Sequence, residues 1–152
     1  TVSSSSSILL SSQPLESEIH ISGLPTFHAE VRANSCNGGQ LFVTMSDGTS
    51  GLRLGHATMD LRYRDGGYEA KSVTPFSSYT MKMEFNPMDV VIPKGHIIQL
   101  EISDSGEDYL PSTCASAGVT LIQAEQPLSL PLIDRSANDE RWFEVPPWWE
   151  NQ

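Results

Sequence analysis

The feature that most constrains this chain is a two-residue rhythm of apolar and polar side chains that recurs along most of its length. Phe27, Ala29, Val31 and Ala33 alternate with His28, Glu30, Arg32 and Asn34, and Ile19 and Ile21 alternate with Glu18 and His20. The same rhythm runs through Leu41, Val43 and Met45, through Met59, Leu61 and Tyr63 against Asp60, Arg62 and Arg64, and through Tyr79, Met81, Met83 and Phe85. Successive side chains of a strand point to opposite faces, so this period is the signature of half-buried strands. No stretch shows the 3.6-residue stripe of an amphipathic helix. Between the runs lie Asn37-Gly38-Gly39, Asp47-Gly48, Asp65-Gly66-Gly67, Asn86-Pro87, Pro93-Lys94-Gly95 and Ser105-Gly106. These residues accept positive φ or preset a turn. Seven or more short strands with regular turns predict an all-β sandwich of jelly-roll form, because a parallel α/β fold would need helical crossovers.

The chain's 152 residues suit one domain with a single core. We divide it into a Ser-rich leader or linker (1–16), a β-sandwich (17–133) and an acidic, Trp/Pro-rich tail (134–152) packing on the sandwich. The run Ile8-Leu9-Leu10 in the leader could supply an edge strand, but its serine-rich setting reads as linker. Nine Lys+Arg against nineteen Asp+Glu leave a formal net charge of -10. Nucleic acid and anionic membrane need a basic footprint, so neither is an expected partner. No apolar run is long enough for a spanning helix, and membrane insertion is not expected. Cys36 and Cys114 are too few and too far apart for a zinc pattern. A long-range disulfide would suit a secreted chain and two small buried hydrophobes would suit any chain, so the compartment stays open.

Candidate chemistry concentrates in Pro93–Ser112, "PKGHIIQLEISDSGEDYLPS". His96, Ile98, Leu100 and Ile102 share one face, which places His96 at the entrance of a strand. There a histidine ordinarily bonds a backbone carbonyl and packs as a partly buried polar residue, so His96 is taken as structural. A serine nucleophile needs a base in reach and an oriented third group, and no serine here has glycine two places before and two places after it. Asp104, Glu107 and Asp108 cluster round Gly106, as hard oxygen ligands of calcium would, yet lack the full spacing of a calcium loop. No cofactor is expected. Trp142, Trp148 and Trp149 could stack on sugar rings, which would make the chain a carbohydrate-binding module. The reading favoured here is that they close the tail against the sandwich or a neighbouring domain.

The order of these motifs resembles the C-terminal non-catalytic domain of the X-prolyl dipeptidyl-peptidase and cocaine-esterase-like (CocE/NonD) acyl hydrolases. The likeness is carried by Gly55–Arg64, by the Pro75–Tyr79 lead-in, by "EFNPMDVVIPKGH" and by the Gly-His-x-Ile-x-Leu-x-Ile-Ser strand Gly95–Ser103. Upstream, "ISGLPTFHAEVRANSCNGGQLFVTMSD" is similar to the family's opening strands, and the whole spans about Glu18 to Gln123. Ile97 and Gln99 stand where the family usually has arginines, and the strand's exit is acidic. The resemblance implies a galactose-binding-like jelly roll beside an α/β-hydrolase domain, on the same or a separate chain, that holds the whole Ser/Asp/His triad. None of that triad maps onto this chain. A free-standing carbohydrate- or protein-binding module is the alternative.

Overall fold

The computed structural model describes residues 7–34, 38–104, 119–123 and 127–133, and its regular structure is almost entirely strand. The strands are β1 (Ser7–Ser11), β2 (Ile19–Gly23), β3 (Thr26–Ala33), β4 (Gln40–Asp47), β5 (Arg53–Asp60), β6 (Ser78–Glu84), β7 (Met88–Ile92), β8 (Ile98–Ser103), β9 (Val119–Gln123), β10 (Leu128–Ser129) and β11 (Leu132–Ile133). Among the described residues a single 3₁₀ turn, Leu61–Tyr63, follows β5.

Every pairing is antiparallel, and the main ones are nested: β4 with β5, β3 with β6, β2 with β7, β1 with β8. This is a long two-stranded ribbon folded over on itself, which is what defines a jelly roll. The ribbon closes where β8 also pairs with β4, giving a sheet of order β1-β8-β4-β5. The other strands form two smaller sheets, β10-β3-β6 with β9 beside β3, and β11-β2-β7.

Period two decides which side chains meet. β3 buries Phe27, Ala29, Val31 and Ala33 and turns Thr26, His28, Glu30 and Arg32 outward. On β6 the buried Met81 sits opposite Ala29, a large thioether against a small residue, and the buried Met83 sits opposite Phe27. Val43 and Met45 of β4 lie opposite Ile102 and Leu100 of β8. With Ile21, Ala57 and Ile92 these residues form one continuous apolar core. Burying a side chain of this size contributes about 1.5–3 kcal/mol each, which sets strand register firmly, since a one-residue slip would turn every such side chain to water.

The structure departs from the sequence reading at three places. The alternation through Met59, Leu61 and Tyr63 does not continue one strand: β5 stops at Asp60, whose Oδ1 accepts from Arg62 N at 2.9 Å and caps the 3₁₀ turn. Leu61 stays fully buried there, so burial kept the rhythm while the backbone changed shape. His20, which the alternation places outward, is buried in the middle of the β11-β2-β7 sheet. The leader run Ile8-Leu9-Leu10 belongs to β1, paired with β8 from Ser7↔Ser103 to Ser11↔Gln99, with Leu10 packed on the core.

Deleting residues 1–11 should therefore lower the Tm of the chain by several degrees, as measured by thermal unfolding, because it strips five residue pairs and an apolar contact from β8. An unchanged Tm would restore the linker reading.

Candidate functional site

The sequence candidates separate in space. His96 lies just before β8 and Asp104 just after it, at opposite ends of a strand about 20 Å long. They cannot share a site. Asp104 is half-buried, whereas Glu107 and Asp108 lie outside the described residues, as do Trp142, Trp148, Trp149, Cys36 and Cys114. Among the described residues no three His, Cys, Asp or Glu side chains come together as a metal site.

Around His96 the chain builds its most organised polar cluster, centred on a residue the sequence reading treated only as a turn signal. Asp47 ends β4 on the core-facing phase of the strand and is buried. Its Oδ1 accepts from Thr49 N at 2.9 Å and from Ser50 N at 3.3 Å, and its Oδ2 accepts from Ser50 Oγ at 2.6 Å. The remaining bond comes from His96, whose Nδ1 donates to Oδ2 at 2.7 Å. The expected backbone carbonyl partner of His96 is thus replaced by a carboxylate 49 residues earlier in the chain. The signal that could have found it is Asp-Gly-Thr-Ser itself, because Asp side chains cap turns by accepting from backbone two and three residues on.

Neighbouring segments lock onto the same cluster. Gly48 N donates to Ile97 O at 2.9 Å, and Ile97 N donates to Thr49 Oγ1 at 3.2 Å. The segment after β1 closes the other side: Ile98 N donates to Ser12 Oγ at 2.9 Å, and Leu15 N donates to His96 O at 2.9 Å. Gly95, at φ 84°, makes the turn that aims His96 inward, and its N–H donates to Leu15 O at 2.9 Å. Gln99 lies across Gly48 and donates from Nε2 to Ser11 Oγ at 3.2 Å. A Cβ on residue 48 would stand 2.5 Å from Gln99 Cδ, so any larger residue there would push the Gln99 side chain aside.

The electrostatics follow from these bonds. The Ser50 hydroxyl first, then the His96 imidazole and the Thr49 and Ser50 backbone N–H groups, hold the Asp47 carboxyl well below its ordinary 3.8, against burial, which pushes the other way. Chemically the arrangement is not a nucleophile dyad. The Ser50 hydroxyl gives its hydrogen bond to the carboxylate, not to the imidazole that would have to take its proton. A second His–Asp pair, missed in the sequence, joins buried His20 of β2 to exposed Asp89 of β7 diagonally across their ladder.

The fold is an all-β jelly roll in which this polar cluster ties three of its own turns together. The chain belongs to the family of the X-Pro dipeptidyl-peptidase C-terminal non-catalytic domain, whose model matches residues 1–121 and so includes β1. Solved structures share the fold. An α-amino acid ester hydrolase matches with TM-score 0.63 at 15% identity, over 84% of this chain and 25% of that one. A CocE/NonD family hydrolase from Staphylococcus aureus matches with TM-score 0.64 at 9% identity, over 84% and 30%. An aminopeptidase from a marine sediment archaeon, Thaumarchaeota archaeon, matches with TM-score 0.62 at 13% identity, over 84% and 26%. The chain thus spans less than a third of each of these proteins. A search of curated proteins finds no sequence match.

Two outcomes check the cluster. His96→Ala should lower the Tm by roughly 2–4 °C, the size expected for losing one partly buried hydrogen bond in a domain of this length. The Asp47 carboxyl is held below its unfolded value, so its contribution to stability is complete above about pH 4 and is lost as the pH falls through the lower folded value. Denaturant titrations from pH 6 downward should show stability falling with acid below about pH 4, and Asp47→Asn should flatten that limb.

Proposed function

We propose that this chain is the non-catalytic accessory sandwich of a serine hydrolase of the X-Pro dipeptidyl-peptidase or acyl-esterase type. It packs against an α/β-hydrolase domain, on the same or a separate polypeptide, and helps to wall its substrate cleft. The observation that carries this reading is the family match over residues 1–121, taken with solved hydrolases and an aminopeptidase in which the same fold is only a quarter to under a third of the chain. A rigid sandwich beside a cleft limits substrate size and excludes water without contributing a reacting group.

The chemistry of the chain is consistent with that division of labour. It has no Gly-x-Ser-x-Gly turn, and the serine and histidine that meet do so through a carboxylate that serves both. The purified chain should therefore hydrolyse neither activated acyl esters nor X-Pro amides above the uncatalysed rate, while a hydrolase domain from the same reading frame should bind it. Turnover by the chain alone that vanished on substituting one serine or His96 would overturn the proposal. No cofactor has a part in this role, so chelation of calcium should leave the Tm unchanged. A fall on chelation would assign a metal to the acidic segment beginning at Asp104.

A further inference from the structure

The connection between β5 and β6, residues 61–77, combines internally paired charges with outward aromatic rings. Arg62 forks onto Asp60 through Nε at 3.1 Å and Nη2 at 2.5 Å. Arg64 donates to Leu61 O at 3.1 Å and Ser72 O at 3.3 Å, with its guanidinium 4.5 Å from the centroid of the Tyr79 ring. Lys71 Nζ meets Asp65 at 2.5 Å, and the buried Leu61 and Val73 anchor both ends of the connection in the core.

Tyr68, by contrast, is fully exposed and Phe76 is 70% exposed. Phe76 is also held at φ 63°, a region costly for a bulky side chain. Its strained turn is clamped: Phe76 N donates to Ala33 O at 2.9 Å, Ala33 N to Ser77 O at 3.1 Å, and Thr74 N to Tyr79 Oη at 2.8 Å. The fold thus spends backbone strain to keep an apolar ring in water, at a fixed place. In a chain of net charge -10, this connection carries three basic residues against two acidic ones, and Arg62 and Lys71 are already neutralised by Asp60 and Asp65, so two of its cations need not be stripped of water unpaired when a surface approaches.

We propose that the β5–β6 connection, with Tyr68 and Phe76 as its anchors, is the surface through which this sandwich docks on its hydrolase domain. The inference rests on the function proposed above. The occupant follows from the solved neighbours, whose chains continue for more than two-thirds of their length beyond the matched sandwich. The chemistry follows from the rings, because exposed aromatics are the side chains that most often anchor protein interfaces, and the clamped backbone of Phe76 loses little freedom on docking.

The test compares binding of the 152-residue chain and its variants to the hydrolase domain of the same reading frame, by calorimetric titration, with Tm measured in parallel. Tyr68→Ser and Phe76→Asn each remove a ring, and asparagine tolerates positive φ, so neither should lower the Tm. Each should weaken binding at least tenfold, whereas Leu52→Ser, which removes an exposed leucine in the β4–β5 turn at the other end of the sandwich, should change it less than twofold. Binding of both ring variants within twofold of the parent overturns the docking surface while leaving the accessory function standing. A Tm drop of several degrees in the ring variants also overturns it, since the rings would then be packed by the chain itself, including its residues 134–152. Failure of the unsubstituted chain to bind the hydrolase domain overturns both proposals together.

Discussion

The ladder between β4 and β8 is the constraint on which the rest of the structure depends. It joins segments more than fifty residues apart in sequence and turns an open ribbon into a closed sandwich, with Val43 against Ile102 and Met45 against Leu100. Non-local pairing must offset its loop-closure entropy, so such a ladder gains from having its ends fixed. At one end that fixing is done by Asp47. Its carboxylate gathers the β4–β5 turn and His96, and the backbone of the β7–β8 turn and of the segment after β1 ties in round it. A buried carboxylate is tolerable because four donors compensate its desolvation. The histidine that draws the eye in the sequence is one of those four.

How much was legible beforehand depended on whether the deciding contact was local. Strands β3, β4, β6 and β8 declare themselves because both faces of each are written into alternate residues. The 3₁₀ turn at Leu61 was missed because the buried leucine sits where a continuing strand would also have buried one, and the break comes from the Asp60 side chain capping its own backbone. His20 read as outward because its sheet has β11 on one side and β7 on the other, and β11 lies more than a hundred residues downstream. The leader run read as linker because its setting is rich in serine, and its pairing partner β8, which makes it a strand, is some ninety residues away. Asp47 was visible as a turn former; its bond to His96, which makes it central, was not.

The family relationship and the local chemistry point the same way. Where a hydrolytic centre would need a hydroxyl aimed at an imidazole, this chain aims both at one carboxylate and uses them as struts. Gln99 is turned inward in the same way, since its amide serves β1 of the same sheet. The opposite end of the sandwich is built differently: charges paired among themselves, and rings left in water on a strained turn. One end closes the fold, and the other is the end we propose for docking.

The first strand has a further consequence, for solubility. With β1 in place, β8 is an interior strand with both backbone edges paired. Were β1 clipped or peeled away, β8 would become a straight, exposed edge alternating Ile98, Leu100 and Ile102 with polar residues, the kind of template that recruits a strand from another copy. A short serine-flanked segment thus covers the edge most open to self-association, and removing it would leave that edge free to pair.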